Sequence, residues 1–177
     1  SMAGARGRAA ATGRAGYRGP MRVCLASTSP ACLMLMRQAG IEPLLQAPDV
    51  DEDAVIAAAE TAEGRTLPPD EHVLLLARRK AADVAASLAA ADPAFDGVVV
   101  GGDSMFDIDG QVLGKPHRPE IATARWEQMR GRTGILHSGH SVIRIEPGRA
   151  PREESAVAAA SVTFVSDSGF CGSVISN

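Results

Sequence analysis

The sequence predicts an α/β domain built on a mixed sheet. Three observations carry that expectation. Short apolar, β-branched runs alternate with helix-period segments over the first two thirds of the chain, which reads as βαβ traffic and parallel strands. Two alternating runs joined by Pro147-Gly148 come last and read as an antiparallel pair. The 177 residues are 45% apolar, enough for one globular domain, and aromatics are only 3%, so the core must be mostly Ala, Val, Leu and Ile.

Residues 1–20 carry Arg6, Arg8, Arg14 and Arg18, no acid and no periodicity, and read as a disordered N-terminal extension or tag remnant. Ser1-Met2 reads as a cleavage scar and Met21 as a start. Residues 21–165 form the expected domain, and residues 166–177 an atypical tail showing neither period. Met21 to Ala26 reads as the first strand. Ser27-Thr28-Ser29-Pro30 follows, with hydroxyls, an N-cap and a proline at the first helical position. A helix over 31–39 closes at Gly40. Such a strand, hydroxyl turn and helix start can bind an anion through free backbone N–H groups, or can be an ordinary capped helix.

Ile41 to Ala47 reads as a second strand. The acidic run Asp49-Val50-Asp51-Glu52-Asp53 either caps a helix beginning near Asp53 or offers a metal carboxylate. Residues 57–69, with Gly64 and Pro68-Pro69, read as a polar loop. Asp70 opens a helix to about Ala91, with Val73, Leu74, Ala77, Ala81, Val84, Ala85 and Leu88 on one face. Lys80 lies beside that stripe, as a snorkelling side chain or a phosphate contact.

Val98-Val99-Val100 then runs into Gly101-Gly102-Asp103, which predicts a buried strand ending where the backbone turns or is closely approached. A carboxylate at such a strand end could hold a metal or polarise a water, or simply be solvated. Asp109-Gly110 predicts a hairpin that returns Lys115 toward the level of Asp103. A helix is expected from Arg118 to about Met129, then a break at Gly131. Ile135–Ile145 and Ser155–Val165 read as the antiparallel pair. His137 and His140 fall on opposite faces of their strand and do not form a metal pair.

Charge and composition exclude some functions. The net charge is -3, and with the N-terminal arginines set aside the body is more acidic still, which argues against a broad nucleic-acid surface. No apolar run is long enough to span a membrane. Cys24, Cys32 and Cys171 lack metal-ligand spacing and read as reduced thiols of a cytoplasmic protein. Sixteen of the eighteen basic residues are Arg; Lys80 and Lys115 are the only lysines. In such an Arg-rich chain they mark places where a compact ammonium is wanted, unless they are leftovers of the bias.

Taken in order, Ala26-Ser27-x-Ser29-Pro30, Asp51-Glu52, Ala77-Arg78-x-Lys80-Ala81, Gly102-Asp103-Ser104, Leu113-Gly114-Lys115-Pro116, Gly131-Arg132-Thr133 and Ser138-Gly139 resemble the Maf family of nucleoside triphosphate pyrophosphatases, once described as septum-formation inhibitors. The Gly-His-x-Val-Ile-Arg and Asp-Ser-Met details look most like actinobacterial members. The resemblance implies an inosine-triphosphate-pyrophosphatase-like, two-lobed fold with the site in a cleft. It implies metal-dependent hydrolysis of a pyrimidine or modified nucleoside triphosphate to the monophosphate and pyrophosphate, with Mg2+ or Mn2+. By the same resemblance Asp103 is a metal ligand or water-activating carboxylate and Glu52 a second metal carboxylate. Lys80 and Lys115 hold phosphates, Ser27 and Ser29 line the phosphate loop, and Arg132 binds substrate.

Two departures stand out. Ala31 and Cys32 occupy positions where the family has arginine. The family pattern past Val165 is absent from residues 166–177, so the chain reads as C-terminally truncated, with an exposed sheet edge, uncovered apolar surface and a homodimer as expected consequences. These departures keep open a catalytically impaired homologue that binds a nucleotide or a protein partner, and an interaction module sharing only ancestry.

Overall fold

The computed structural model describes residues 21–113, 126–165 and 173–176. One mixed sheet carries everything else. It contains β1 (Arg22–Ala26), β2 (Leu44–Leu45), β3 (Gly97–Ile108), β4 (Gln111–Leu113), β5 (Thr133–Ile145), β6 (Arg152–Phe164) and β7 (Ser173–Ser176). The strand order is β2-β1-β3-β5-β6-β7, with β4 paired to β3. β1 runs parallel to β2 and β3, and the remaining pairs are antiparallel. The mixed α/β sheet expected from the order of the segments is therefore present.

Among the described residues the helices longer than one turn are α1 (Pro30–Gln38), α2 (Glu52–Glu63) and α3 (Pro69–Ala91). α3 lies across β1, β3, β5 and β6. Its buried side chains are Val73, Leu76, Ala77, Lys80, Ala81, Val84 and Ala85; Leu76 replaces the expected Leu74, which is half-buried. Against them pack Cys24, Ala26, Phe95, Val99, Ile143 and Ile145. Gly101 and Gly139 let the helix approach. A Cβ on Gly101 would sit 2.3 Å from the Ala77 carbonyl oxygen, and one on Gly139 2.4 Å from that of Val73.

Several expectations change. The strand through Val98–Val100 does not end at its glycines; β3 continues to Ile108, because Gly101 serves close packing instead of a turn. The expected second strand shrinks to Leu44–Leu45, flanked by Pro43 and Pro48, which cannot donate to a ladder. The expected loop over 57–69 is mostly helix. Its alanines favour helix, Asp51 caps α2 by accepting from the Ala54 N–H, and Gly64 ends it at φ 67°. Within the tail, Ser173–Ser176 pairs with β6. The Asp109-Gly110 hairpin forms, with φ of 52° and 77°, the pairing that a type I′ turn gives. Residues 1–20, Lys115 and all but the last turn of the helix expected from Arg118 lie outside the described residues. Among the described residues no helix is long and apolar enough to cross a membrane.

Candidate active site

The site forms where α3 leaves the sheet uncovered. Side chains at Val99, Gly101, Asp103, Met105 and Asp107 of β3 share one face, since strand positions alternate. α3 covers that face up to Gly101. Asp103 is the first position beyond, and Lys80 on α3 reaches across to it: Nζ donates to Asp103 Oδ1 at 2.8 Å. The same ammonium lies 2.8 Å from Glu52 Oε1, at the first residue of α2. The side chains of Lys80 and Asp103 are 11% and 16% exposed, whereas Glu52 is 49% exposed, so the trio opens to solvent on the Glu52 side. Burial pulls the Lys80 ammonium toward neutrality, and its hydrogen bonds with Asp103 and Glu52 more than offset that, leaving its pKa above the usual lysine value.

Glu52 is delivered by a polar ladder along α3. Gln46 Nε2 donates to Ser87 Oγ at 2.9 Å, the Asp49 N–H to Asp83 Oδ2 at 2.9 Å, and Glu52 meets Lys80. Residues three apart on the connecting chain thus meet successive turns of the helix. A second network ties α3 to the other side of the sheet. Arg78 Nε donates to Glu153 Oε1 at 2.8 Å, and the fully buried Ser141 donates to the same oxygen at 3.0 Å. Neither network was visible in the sequence: the partners are common surface residue types far apart in the chain, and only the helical spacing of Lys80, Asp83 and Ser87 hinted at a shared face.

The remaining candidates are more scattered. Ser27 and Ser29 follow β1, whose Ala26 pairs with Gly101, so their turn leaves the sheet two residues before the level of Asp103. Ser27 Oγ accepts from the Ser29 N–H at 3.0 Å, and the Ser29 side chain does not cap α1. Cys32 is half-buried and Ala31 exposed, so the first turn of α1 carries no cation. Arg132 pairs with Asp109 at the far end of β3 and donates to the Gln128 carbonyl, away from Lys80. His137 is half-buried and His140 exposed, on opposite faces as their spacing implies. Asp107 Oδ1 and His137 Nδ1 are buried without partners among the described residues, on the face of β3 and β5 that continues from Asp103 beyond α3.

Two carboxylate oxygens, one from Asp103 and one from Glu52, each lie 2.8 Å from the same ammonium. Among the described residues no group of three or more His, Cys, Asp or Glu could hold a metal. Glu52 and Asp103 could hold a hard divalent cation such as Mg2+ or Mn2+ only as a two-carboxylate site, with water and substrate oxygens completing the shell.

The chain is similar to known proteins over most of its length. The family described as Maf-like protein matches residues 22–168. A nucleoside triphosphate pyrophosphatase of Leifsonia xyli subsp. xyli is 54% identical over 144 residues, 81% of this chain and 66% of that protein. One from Mycobacterium sp. (strain JLS) is 48% identical over 143 residues, again 81% of this chain and 66% of that protein. The chain thus spans 66% of the length of these curated relatives, just under two thirds. Among solved structures, a HAM1 protein from Coxiella burnetii is 14% identical, with a TM-score of 0.42 over 81% of this chain and 73% of that one.

Proposed function

The chain belongs to the Maf-like protein family, and from that premise we propose that it hydrolyses a pyrimidine or modified nucleoside triphosphate to the monophosphate and pyrophosphate. The observation that carries this reading is the Lys80 ammonium held between Asp103 and Glu52 where α3 passes beyond Gly101 on β3. A basic group beside two carboxylates suits phosphoryl chemistry, which depends on positioning and charge neutralisation. In this reading a water oxygen attacks the α-phosphorus while the bond to the α,β-bridging oxygen breaks. Pyrophosphate leaves with that oxygen, and Asp103 accepts the proton of the attacking water. Lys80 and Lys115 hold phosphate oxygens, Ser27 and Ser29 line the phosphate turn, and Arg132 binds substrate farther along the cleft. Glu52 and Asp103 would hold Mg2+ or Mn2+, which when bound supplies charge neutralisation at the phosphates. Cytoplasmic residence, a homodimer and a link to septum formation belong to the same proposal.

A second reading, a homologue that binds nucleotide without turnover, is favoured by the first turn of α1, where Ala31 and Cys32 offer no charge. Pyrophosphate release from dTTP, UTP, CTP and modified triphosphates with Mg2+ or Mn2+ separates the two. Turnover is expected, reduced by about 10²–10⁴-fold in Asp103→Asn, while that variant keeps the native circular-dichroism spectrum. Equal turnover in the variant would sink the assignment of Asp103, and nucleotide binding without pyrophosphate release would establish the second reading.

A further inference from the structure

The two carboxylates and the lysine are not equivalent in how they are held. Asp103 sits on the central strand β3, with β1 and β5 on either side. Glu52 is fixed at the head of α2 by the Asp51 cap and by the Asp49–Asp83 contact just before it. Lys80 reaches the pair on an unbranched four-carbon stem with rotatable bonds along its length, so its ammonium can be re-aimed without moving α3. With all three groups charged, the cluster keeps a net negative charge, which a single ammonium does not cancel. Among the described residues Lys80 is also the one cation within ion-pair distance of Asp103.

We propose that Lys80 is the resident counterion of the Glu52–Asp103 pair, and that its ammonium gives way there to a divalent cation and turns toward the substrate's phosphates. This rests on the reading of Glu52 and Asp103 as cation-holding carboxylates. It adds an exchange: the ammonium and the divalent ion compete for the same two oxygens. In the absence of metal the lysine keeps two nearby carboxylates from repelling each other. When it is released, the same charge becomes available to a phosphate oxygen without any movement of the backbone.

The test needs no nucleotide. Mn2+ titration followed by electron paramagnetic resonance should show about tenfold or tighter binding to Lys80→Met than to the unaltered protein, because the competing charge is gone. Adding Asp103→Asn to that variant should remove the gain. A second measurement uses the unaltered chain, in case Lys80→Met does not fold. The chain has only two lysines, so lysine labelled with 13C at Cε gives two signals, assigned by Lys115→Arg. Mg2+ should shift the Lys80 signal toward the position of a free lysine. Equal Mn2+ affinity with and without Lys80, no Mn2+ binding by either protein, or a Lys80 signal that stays put at saturating Mg2+ would each overturn the exchange. Failure of the hydrolytic reading appears separately, as absent pyrophosphate release in a protein that still shows these metal effects.

Discussion

Cys32 stands where the family resemblance leads one to expect an arginine, and it lies in the first turn of a helix whose start follows the Ser27–Ser29 turn. A cation there would face an anion bound at the helix N-terminus, adding its charge to that of the free N–H groups. If the missing charge limits turnover, Cys32→Arg should raise the rate of pyrophosphate release about tenfold or more, a fraction of what a full transition-state donor contributes. Unchanged rates would mean that the limitation lies elsewhere. At this scale the sequence was informative where composition created contrast. Lys80 stood out against sixteen arginines, and it is the residue on which both carboxylates converge. Ser141 and Glu153 gave no such contrast. A serine in a strand and a glutamate on a polar segment are common, and their partnership with Arg78 exists only once α3 has been laid across β5 and β6.

α3 sets the geometry of the site because it must come close enough for a lysine stem to bridge to β3. Gly101 makes that approach possible: any Cβ there would collide with the Ala77 carbonyl and with Ala81. Gly101→Ala should therefore destabilise the fold by about 1–3 kcal/mol, the usual cost of overpacking. It should also raise KM for the nucleotide, since the helix can relieve the clash only by carrying Lys80 away from Asp103. A thermal midpoint equal to that of the unaltered protein would show that α3 does not depend on this contact. The same glycine explains a misread element. Gly-Gly after a valine run has two physical meanings, a turn or a close neighbour, and only the helix lying over it decides between them. The second half of α2 was misread for a related reason, although its start near Asp53 was expected. Polar residues among its alanines looked like loop, whereas the Asp51 cap and the Gly64 stop were already written at its two ends.

Across the whole molecule the cover is uneven. α3 shields the sheet from β1 to the level of Gly101 and Gly139, and beyond that line the strands continue without a described helix on the same face. Ile135 and Val157 lie there, 45% and 38% exposed, beside the half-buried Met105, Asp107 and His137. The opposite face of that end is occupied differently, by Phe106, Phe164 and Trp126 in edge-to-face contact. A partly apolar strip, carrying Asp107 and His137 among its apolar side chains, next to a charged trio has the polarity of a nucleotide, with a flat base at one end and phosphates at the other. The native protein should therefore enhance the fluorescence of the apolar dye ANS. A non-hydrolysable nucleoside triphosphate added with Mg2+ should displace the dye and raise the thermal midpoint, because a ligand bound only to the folded state stabilises it by about 2.7 kcal/mol at a hundredfold excess over Kd. Ile135→Lys should weaken both the dye signal and its displacement without disturbing Mn2+ binding at Glu52 and Asp103. Dye binding that nucleotide leaves untouched would place the substrate elsewhere and leave the strip as a surface for another molecule to cover.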